Sequence, residues 1–443
     1  MKLFGTDGLR GQAGEFPLDA PSLRRIGQSI GKHSIRAGGC VIVGGDTRES
    51  TPWLIAELAA AAQSEGAKIA HAGTMTTPGI AELVLGLGAS AGISVSASHN
   101  PWRDNGIKIF GSDGRKWPGE WEEELEQVLL SEHEQQEPMR SLEDLAVPEV
   151  DRKLAEMYLQ RLAKRAPAPL KGLHVVIDAG NGAAFELGPA AFTRAGARVT
   201  PVYADPNGRN INEGCGALHP ASMAASTRER GATFGVAYDG DADRSIFADE
   251  RGRILDGDDV LWIVATDWKR KGALPSAGVV GTVMSNYGLE AAFEREGIPF
   301  ARAAVGDRNV ARLMEERGAA LGGETSGHIL LRDSPAGDGI ATSLLLAEII
   351  MEGGQPLSSL ATLSKVPQIL RNVRVDRRQP LEEIPGLVQA IARAKESLDH
   401  RGRVYLRYSG TEPLLRILVE GFDASLVERL AQELETAARA ELS

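Results

Sequence analysis

The chain predicts three α/β domains of one design followed by a smaller α+β domain. The first observation is a pattern that occurs three times: a β-branched run ending in a polar turn and then a helical stretch, at CVIVGGDTRES (40–50), HVVIDAGNGAA (174–184) and GVVGTVMSNYG (278–288). The second is that each of these is followed by another apolar run closed by a polar, glycine-bearing loop, at AGISVSASHN (91–100), TFGVAYDGDADR (233–244) and AALGGETSGH (319–328). The third is a change of pattern after residue 380, where two strand-like runs, GRVYLRYSG and LLRILVEG, lie between helical stretches.

The apolar runs do not alternate, which suits strands buried on both faces of a sheet with helices on each side. Helices are read at TPWLIAELAAAAQSEGA (51–67), GEWEEELEQVLLSEHEQQE (119–137), VDRKLAEMYLQRLAKRA (150–166) and GPAAFTRAGA (188–197), from alanine and leucine at three and four spacing or from charge pattern. Strands alternating with such helices imply βαβ crossovers, and ligand sites in those sheets lie at the carboxyl ends of strands, where the polar loops fall. The APAP break after 165, the turn ERGRILDGD and the segment SKVPQILRNVRVDRRQP set domains at 1–150, 151–251, 252–366 and 367–443.

Composition narrows the function. In 443 residues, 42% hydrophobic and 25% charged content describes a soluble globular protein. A net formal charge of −11 argues against a nucleic-acid or anionic-membrane partner. Cys40 and Cys215 alone supply neither a disulfide framework nor a CxxC metal site. The N-terminus reads as no signal peptide and no run of 18 apolar residues occurs, so a cytoplasmic enzyme is expected.

Four loops carry chemistry. In DGDADR (239–244), aspartates at alternate positions after a strand put three carboxylates on one side of an extended backbone. Three anions together need a cation, and an all-oxygen set suits Mg²⁺ or Mn²⁺. An EF-hand loop would use Glu250 as its twelfth residue, but Arg244 stands where the sharp turn needs glycine and SIFAD reads as strand; a solvated acidic turn is the other alternative. GGETSGHI (322–329) presents Glu324, Ser326 and His328 between glycines, a set for sugar hydroxyls or an amine, or a tight turn with a satisfied histidine. RYSGTEPLLRI (407–417) offers consecutive N–H groups, hydroxyls and two arginines, either a phosphate cradle or a hairpin with surface arginines. In SVSASHNPWRDNGIKIF (94–110), Ser98 is a nucleophile, a phosphate anchor or a turn residue, with His99 and Lys108 as possible helpers.

Taken together these residues resemble the α-D-phosphohexomutase superfamily over essentially the whole chain: SASHNP is like its phosphoserine loop, DGDADR its metal loop, GETSGH its sugar loop and RYSGTEPLLRI its phosphate loop. The resemblance implies three similar α/β domains with mixed sheets sandwiched by helices, plus a smaller C-terminal α+β domain, around a central active-site cleft. It implies an intramolecular phosphotransferase in which Ser98 is the phosphorylated nucleophile. Asp239, Asp241 and Asp243 would hold one Mg²⁺ per subunit with a phosphate oxygen on Ser98. Arg10, Lys108 and Arg244 would surround the transferring phosphoryl group, with His328 close to the reacting oxygen. Glu324, Ser326 and His328 would bind the sugar, and Arg407, Ser409, Gly410, Thr411 and Arg416 the non-reacting phosphate.

FGTDGLRG (4–11), DNGIKIFGSDG (104–114), NINEGCGALHP (210–220), GTVMSNYGLE (281–290) and VGDRNV (305–310) look most like the branch of the superfamily that acts on glucosamine phosphates. Thr325 departs from it, standing where that branch usually carries Gln and phosphomannomutases Met, and Gly45 stands where an arginine is common. The expected reaction is glucosamine 6-phosphate to glucosamine 1-phosphate through glucosamine 1,6-bisphosphate, which serves as intermediate or activator, in an amino-sugar step feeding peptidoglycan precursors. The expected partner is a small phosphosugar, and the expected assembly a monomer or homodimer. A mutase for mannose or glucose phosphates and a non-catalytic phosphosugar-binding protein are the rival readings; a phosphatase with a nucleophilic DxD motif would not need Ser98 or the SGT loop.

Overall fold

The protein is described from a computed structural model, for residues 3–5, 8–35, 39–131, 139, 141–166, 168–409 and 413–442. The first sheet holds β1 (Leu9–Gln12), β2 (Cys40–Gly45), β3 (Lys68–Thr74), β4 (Ala91–Val95) and β5 (Asp104–Gly111). The second holds β6 (His174–Asp178), β7 (Arg198–Val202), β8 (Phe234–Tyr238), β9 (Ser245–Asp249) and β10 (Ile254–Leu255). The third holds β11 (Val279–Thr282), β12 (Phe300–Ala303), β13 (Leu321–Gly323) and β14 (Ile329–Leu331). Their orders, β1-β5-β4-β2-β3, β10-β9-β8-β6-β7 and β12-β11-β13-β14, contain one four-strand core three times over. In each, a central strand is flanked by two parallel neighbours and the last strand returns antiparallel.

That topology places the polar loops. Residues 96–103, 239–244 and 324–328 are the same connection in each domain, from the third parallel strand to its antiparallel partner. The strands leading into them are wholly buried at β4, β8 and β13, as runs without alternation require. The fourth sheet, β15 (Gln368–Arg374), β17 (Leu414–Gly421) and β16 (Gly402–Tyr408), is antiparallel throughout, and the loop after residue 408 is again a strand-to-strand turn.

Helices follow the expected segments at Thr51–Ser64, Gly119–Ser131 and Lys153–Arg165. The helix expected over 188–197 instead runs Ala184–Arg194 and carries Pro189 inside it. Proline is read as a first-turn residue because it lacks an N–H; here the packing of Ala184, Leu187, Ala191 and Phe192 into the interior extends the helix backwards past it. Among the described residues, no helix is long and apolar enough to cross a membrane.

One apolar cluster runs through the three α/β domains, beside a separate one in each, around Leu9 and Trp53, Val176 and Met223, and Val280 and Met314. The shared cluster runs from Ile42, Met75 and Ile80 through Tyr158 and Leu162 to Phe192, Phe234, Leu321 and Ile340. The C-terminal domain has its own core around Val373, Leu387, Ile417 and Leu430. It is bound to the third domain by polar links: Arg403 Nη2 donates to the Val283 carbonyl (2.8 Å) and the Tyr287 N–H to Glu420 Oε1 (3.0 Å), while the Asn286 amide holds both backbone groups of Val366 at the third domain's end. Glu420 is fully buried and also accepts from Arg403 Nε at 2.9 Å. Replacing it by alanine strands that guanidinium and the Tyr287 N–H, at a cost of about 3 kcal/mol or more. The expected outcome for Glu420→Ala is an earlier, separate unfolding transition of the C-terminal domain in calorimetry; a single transition at the parent temperature would contradict the assignment.

Candidate active site

The loops of the first three domains meet. Ser98, wholly buried, has a left-handed backbone (φ +51°), as does Ala242 (φ +57°) in the facing aspartate loop. A non-glycine residue holds that conformation only where its surroundings impose it. Ser98 Oγ donates to Asp239 Oδ2 at 2.5 Å and lies 3.2 Å from His99 Nδ1. Its N–H donates to Ser96 Oγ (2.9 Å), which donates to Asp46 Oδ2 (2.5 Å). Arg48, fully buried against Asp46, caps the loop from below through the Ser98 and Asn100 carbonyls.

The aspartate loop sits at the junction of three domains. The Thr77 N–H, at the start of the Thr77–Leu87 helix of the first domain, donates to the Asp241 carbonyl (3.1 Å). The Gly339 N–H, at the start of the Gly339–Gly353 helix of the third, donates to the Ala242 carbonyl (2.9 Å). Two helix N-termini thus turn their positive ends toward a segment carrying three carboxylates. Lys108, 1% exposed, spans Asp241 Oδ2 (2.8 Å) and Asp243 Oδ2 (3.0 Å), and Thr77 Oγ1 donates to Asp241 Oδ2 (2.5 Å).

Ligand atoms of the three aspartates lie within 4.8 Å of one another. Among the described residues, buried Asp241 Oδ1 and Asp243 Oδ1 have no hydrogen-bond partner. A hard divalent cation fits this set, since it takes oxygen ligands and satisfies the buried oxygens. Burial, then Asp243 and Asp241, pushes the Asp239 carboxyl well above the ordinary carboxylate range. Burial acts the same way on Asp243, but Lys108, His328 and Arg244 together hold it well below that range. Glu250, the twelfth residue of the rejected EF-hand reading, bonds Ser358 instead.

Other candidates take up places around this centre. Arg244 Nη1 is 3.2 Å from His99 Nδ1, and Arg244 Nε 3.8 Å from Asp243 Oδ1. Arg10 on β1 pairs opposite Gly106, on the face of β5 that carries Lys108. Burial, then Arg244 and Arg10, lowers the His99 pKa and favours the neutral ring. From the sugar-type loop, His328 Nδ1 is 3.7 Å from Asp243 Oδ1, an ion-pair distance, and its Nε2 is 4.0 Å from Asp307 Oδ2. Burial lowers the His328 pKa, but Asp243, Asp307 and Glu324 reverse the sign and raise it. Glu324 Oε1 accepts from the Gly306 N–H (2.9 Å), while Ser326 is exposed.

Gly327 (φ +88°) presses this loop onto the aspartate loop's strand: a Cβ there would stand 2.2 Å from the Ser245 carbonyl oxygen. Thr325 Oγ1 sits 3.3 Å from both oxygens of buried Asp258, so this position binds the start of the Gly257–Arg270 helix. Gly45 has no room for a longer side chain, with a Cβ falling 2.5 Å from the Val95 carbonyl oxygen.

In the C-terminal domain Arg407 and Arg416 are direct cross-strand partners, both half-buried. Two guanidinium groups side by side on one sheet face have the fork geometry that grips an anion. Ser409 is buried; its N–H donates to the Leu414 carbonyl (2.8 Å) and its carbonyl accepts from Arg378 Nη2 (2.8 Å). Gly410 and Thr411, also expected there, lie outside the described residues.

The structure adds residues that sequence reasoning did not single out: Arg48, Thr77, Asn212, Asp307 and Arg378. Asp307 also takes Lys116 Nζ of the first domain at 2.6 Å, close to His328. The signal for Arg48 was present, since a charged run ending a buried strand is the pattern that flagged Ser98; Thr77 and Asn212 act on loops of other domains, while Asp307 and Arg378 act within their own.

A buried serine on a carboxylate triad, with cationic groups around it and a separate arginine pair, is the site of a phosphohexomutase fold. The comparisons agree. The four descriptions "Phosphoglucomutase/phosphomannomutase, alpha/beta/alpha domain I", "domain II", "domain III" and "C-terminal domain" match residues 1–136, 156–252, 256–366 and 370–437. Curated relatives include the phosphoglucosamine mutases of Koribacter versatilis, 44% identical over 95% of this chain and 92% of its own, and of Symbiobacterium thermophilum, 43% identical over 100% and 99%. The chain belongs to this family, on its phosphoglucosamine mutase branch. In fold it is similar to a phosphoglucomutase/phosphomannomutase family protein of Burkholderia thailandensis (TM-score 0.80, 23% identity, 99% and 97% covered). It is likewise similar to the N-acetylphosphoglucosamine mutase of Aspergillus fumigatus solved with GlcNAc-6P and magnesium (TM-score 0.70, 18% identity, 100% and 96% covered).

With Asp239 held toward its neutral form, Asp239→Asn removes ligand charge without changing shape. It is expected to leave the metal-free melting temperature close to the parent's while lowering Mg²⁺ or Mn²⁺ affinity about tenfold or more in calorimetry. Unchanged affinity would exclude the triad as the cation site.

Proposed function

We propose that the chain interconverts glucosamine 6-phosphate and glucosamine 1-phosphate in the cytoplasm, through a phosphorylated Ser98 and glucosamine 1,6-bisphosphate. The observation that carries this reading is the strained, buried Ser98 hydroxyl at 2.5 Å from the aspartate triad, in a chain whose curated relatives are phosphoglucosamine mutases. Each proposed domain, 1–150, 151–251, 252–366 and 367–443, contributes one loop.

In the forward direction the phosphorus–Oγ bond of phospho-Ser98 breaks as O1 of the bound 6-phosphate attacks, and the O1 proton leaves to a nearby basic group. The 1,6-bisphosphate then turns by about half a revolution, and Ser98 Oγ, giving up its proton, takes the 6-phosphoryl group as the phosphorus–O6 bond breaks and O6 is protonated, which leaves glucosamine 1-phosphate. Asp239, Asp241 and Asp243 are the proposed holders of one Mg²⁺, which when bound supplies charge neutralisation at the phosphoryl oxygens. Lys108, Arg244 and Arg10 supply the remaining positive charge, and Lys108, an ammonium held by two of the aspartates, is the proposed donor of a proton to the departing oxygen. His328 lies between two carboxylates and stays ready to donate to an oxygen that gains charge. Glu324 and Ser326 bind sugar hydroxyls or the amine. Arg407, Ser409, Gly410, Thr411 and Arg416 hold the phosphate that is not reacting, so either end of the sugar can be presented to Ser98.

Ser98→Ala is expected to abolish turnover and the covalent phosphate seen by intact mass while the protein melts as before; turnover near the parent level would end this reading. In side-by-side assays with a bisphosphate activator, activity with glucosamine 6-phosphate is expected to exceed that with glucose or mannose phosphates at least about tenfold. The reverse order would make the enzyme a phosphomannomutase/phosphoglucomutase.

A further inference from the structure

We propose that Asn212 is a positioning residue that fixes the peptide of Ser98 and so aims its hydroxyl, an inference that rests on the nucleophilic role of Ser98. Its Nδ2 donates to the Ser98 carbonyl at 2.9 Å and to the Asn100 carbonyl at 3.2 Å. Arg48 Nη2 reaches the same two oxygens, at 3.3 and 2.7 Å, so each carbonyl is held by two donors. Arg48 belongs to the domain of Ser98 itself. Asn212 belongs to the domain that carries the aspartate triad, so its bonds fix the nucleophile relative to the cation ligands.

The backbone shows why such a clamp is needed. Ser98 has φ +51°, a conformation that a serine leaves unless its neighbours forbid it. Relaxation of this φ would rotate the Ser98 carbonyl and Cβ together about the N–Cα bond, taking Oγ away from Asp239. With the carbonyl caught from two domains that rotation is blocked. Asn212 is itself left-handed (φ +59°), and its N–H is anchored on the Gly180 carbonyl at 2.9 Å. Gly240 of the aspartate loop closes the third side: a Cβ there would lie 2.4 Å from the Ser98 carbonyl oxygen and 3.0 Å from Asn212 Nδ2.

Two substitutions separate the amide from the shape. Asn212→Gly keeps the left-handed backbone and deletes the donor; Asn212→Asp keeps size and conformation but faces two carbonyls with an acceptor. In the Mg²⁺-loaded enzyme, both are expected to lower kcat and the single-turnover transfer from phospho-Ser98 about tenfold or more, with Asp at least as impaired as Gly. KM for glucosamine 6-phosphate is expected to stay within about twofold, and the transfer rate is normalised to the phosphoenzyme fraction read by intact mass, so unfolded protein does not count. Rates within about twofold of the parent in both variants, or an isosteric Asp that behaves as Asn does, would overturn the clamp. Ser98→Ala run in parallel tells the two failures apart. An inactive Ser98→Ala with undisturbed Asn212 variants removes the clamp alone, and an active Ser98→Ala removes the nucleophile and the clamp with it.

Discussion

Mutual repulsion among Asp239, Asp241 and Asp243 is the constraint around which the rest is arranged. Three carboxylates, each at most 4% exposed, are brought together where water cannot solvate them. Such a group persists only if other positive charge is fixed nearby. The chain supplies it from every direction: Lys108 from a neighbouring sheet, Arg244 from the loop's own end, and the starts of two helices that grip the loop's carbonyls. A serine hydroxyl placed against the remaining carboxylate, Asp239, completes the arrangement by donating to it.

How much of this was legible follows from where each interaction begins and ends. The aspartates, Ser98 and the ETSGH loop could be read because strand, turn and functional side chain are contiguous, and because the same strand–loop unit recurs three times. Groups that work across the fold left no such trace: Asn212 lies 114 positions from Ser98, and Thr77 164 from Asp241. Each is an unremarkable polar residue in its own segment and becomes informative only when the sheets are packed. The helix at Ala184–Arg194 shows the same limit on a smaller scale, since burial of its apolar face outweighed the local meaning of Pro189.

Thr325 illustrates how a departure can be absorbed without disturbing the site. Its hydroxyl reaches Asp258, whose carboxyl burial and then Asp256 raise to about 7, and the Asp258 carboxyl also accepts from the Asn286 N–H at 2.8 Å. The Asn286 side chain in turn grips Val366 at the passage into the C-terminal domain. The 324–328 loop and the passage into the C-terminal domain are therefore joined by three hydrogen-bonded links in series. A sequence comparison at position 325 alone reads only substrate preference, whereas the side chain also has a mechanical duty.

The apolar cluster that runs through the first three domains has a consequence for how sequence variation in this protein should be interpreted. Because Ile80, Phe192 and Ile340 belong to one packed body, a cavity opened at any of them is felt by loops in all three domains. A conservative change far from the reacting atoms can then resemble an active-site lesion in an assay. The separate core around Ile417 and Leu430 confines damage there to the C-terminal domain. Distance from Ser98 is thus a poor guide to severity; membership of the cluster that runs through three domains is the better one.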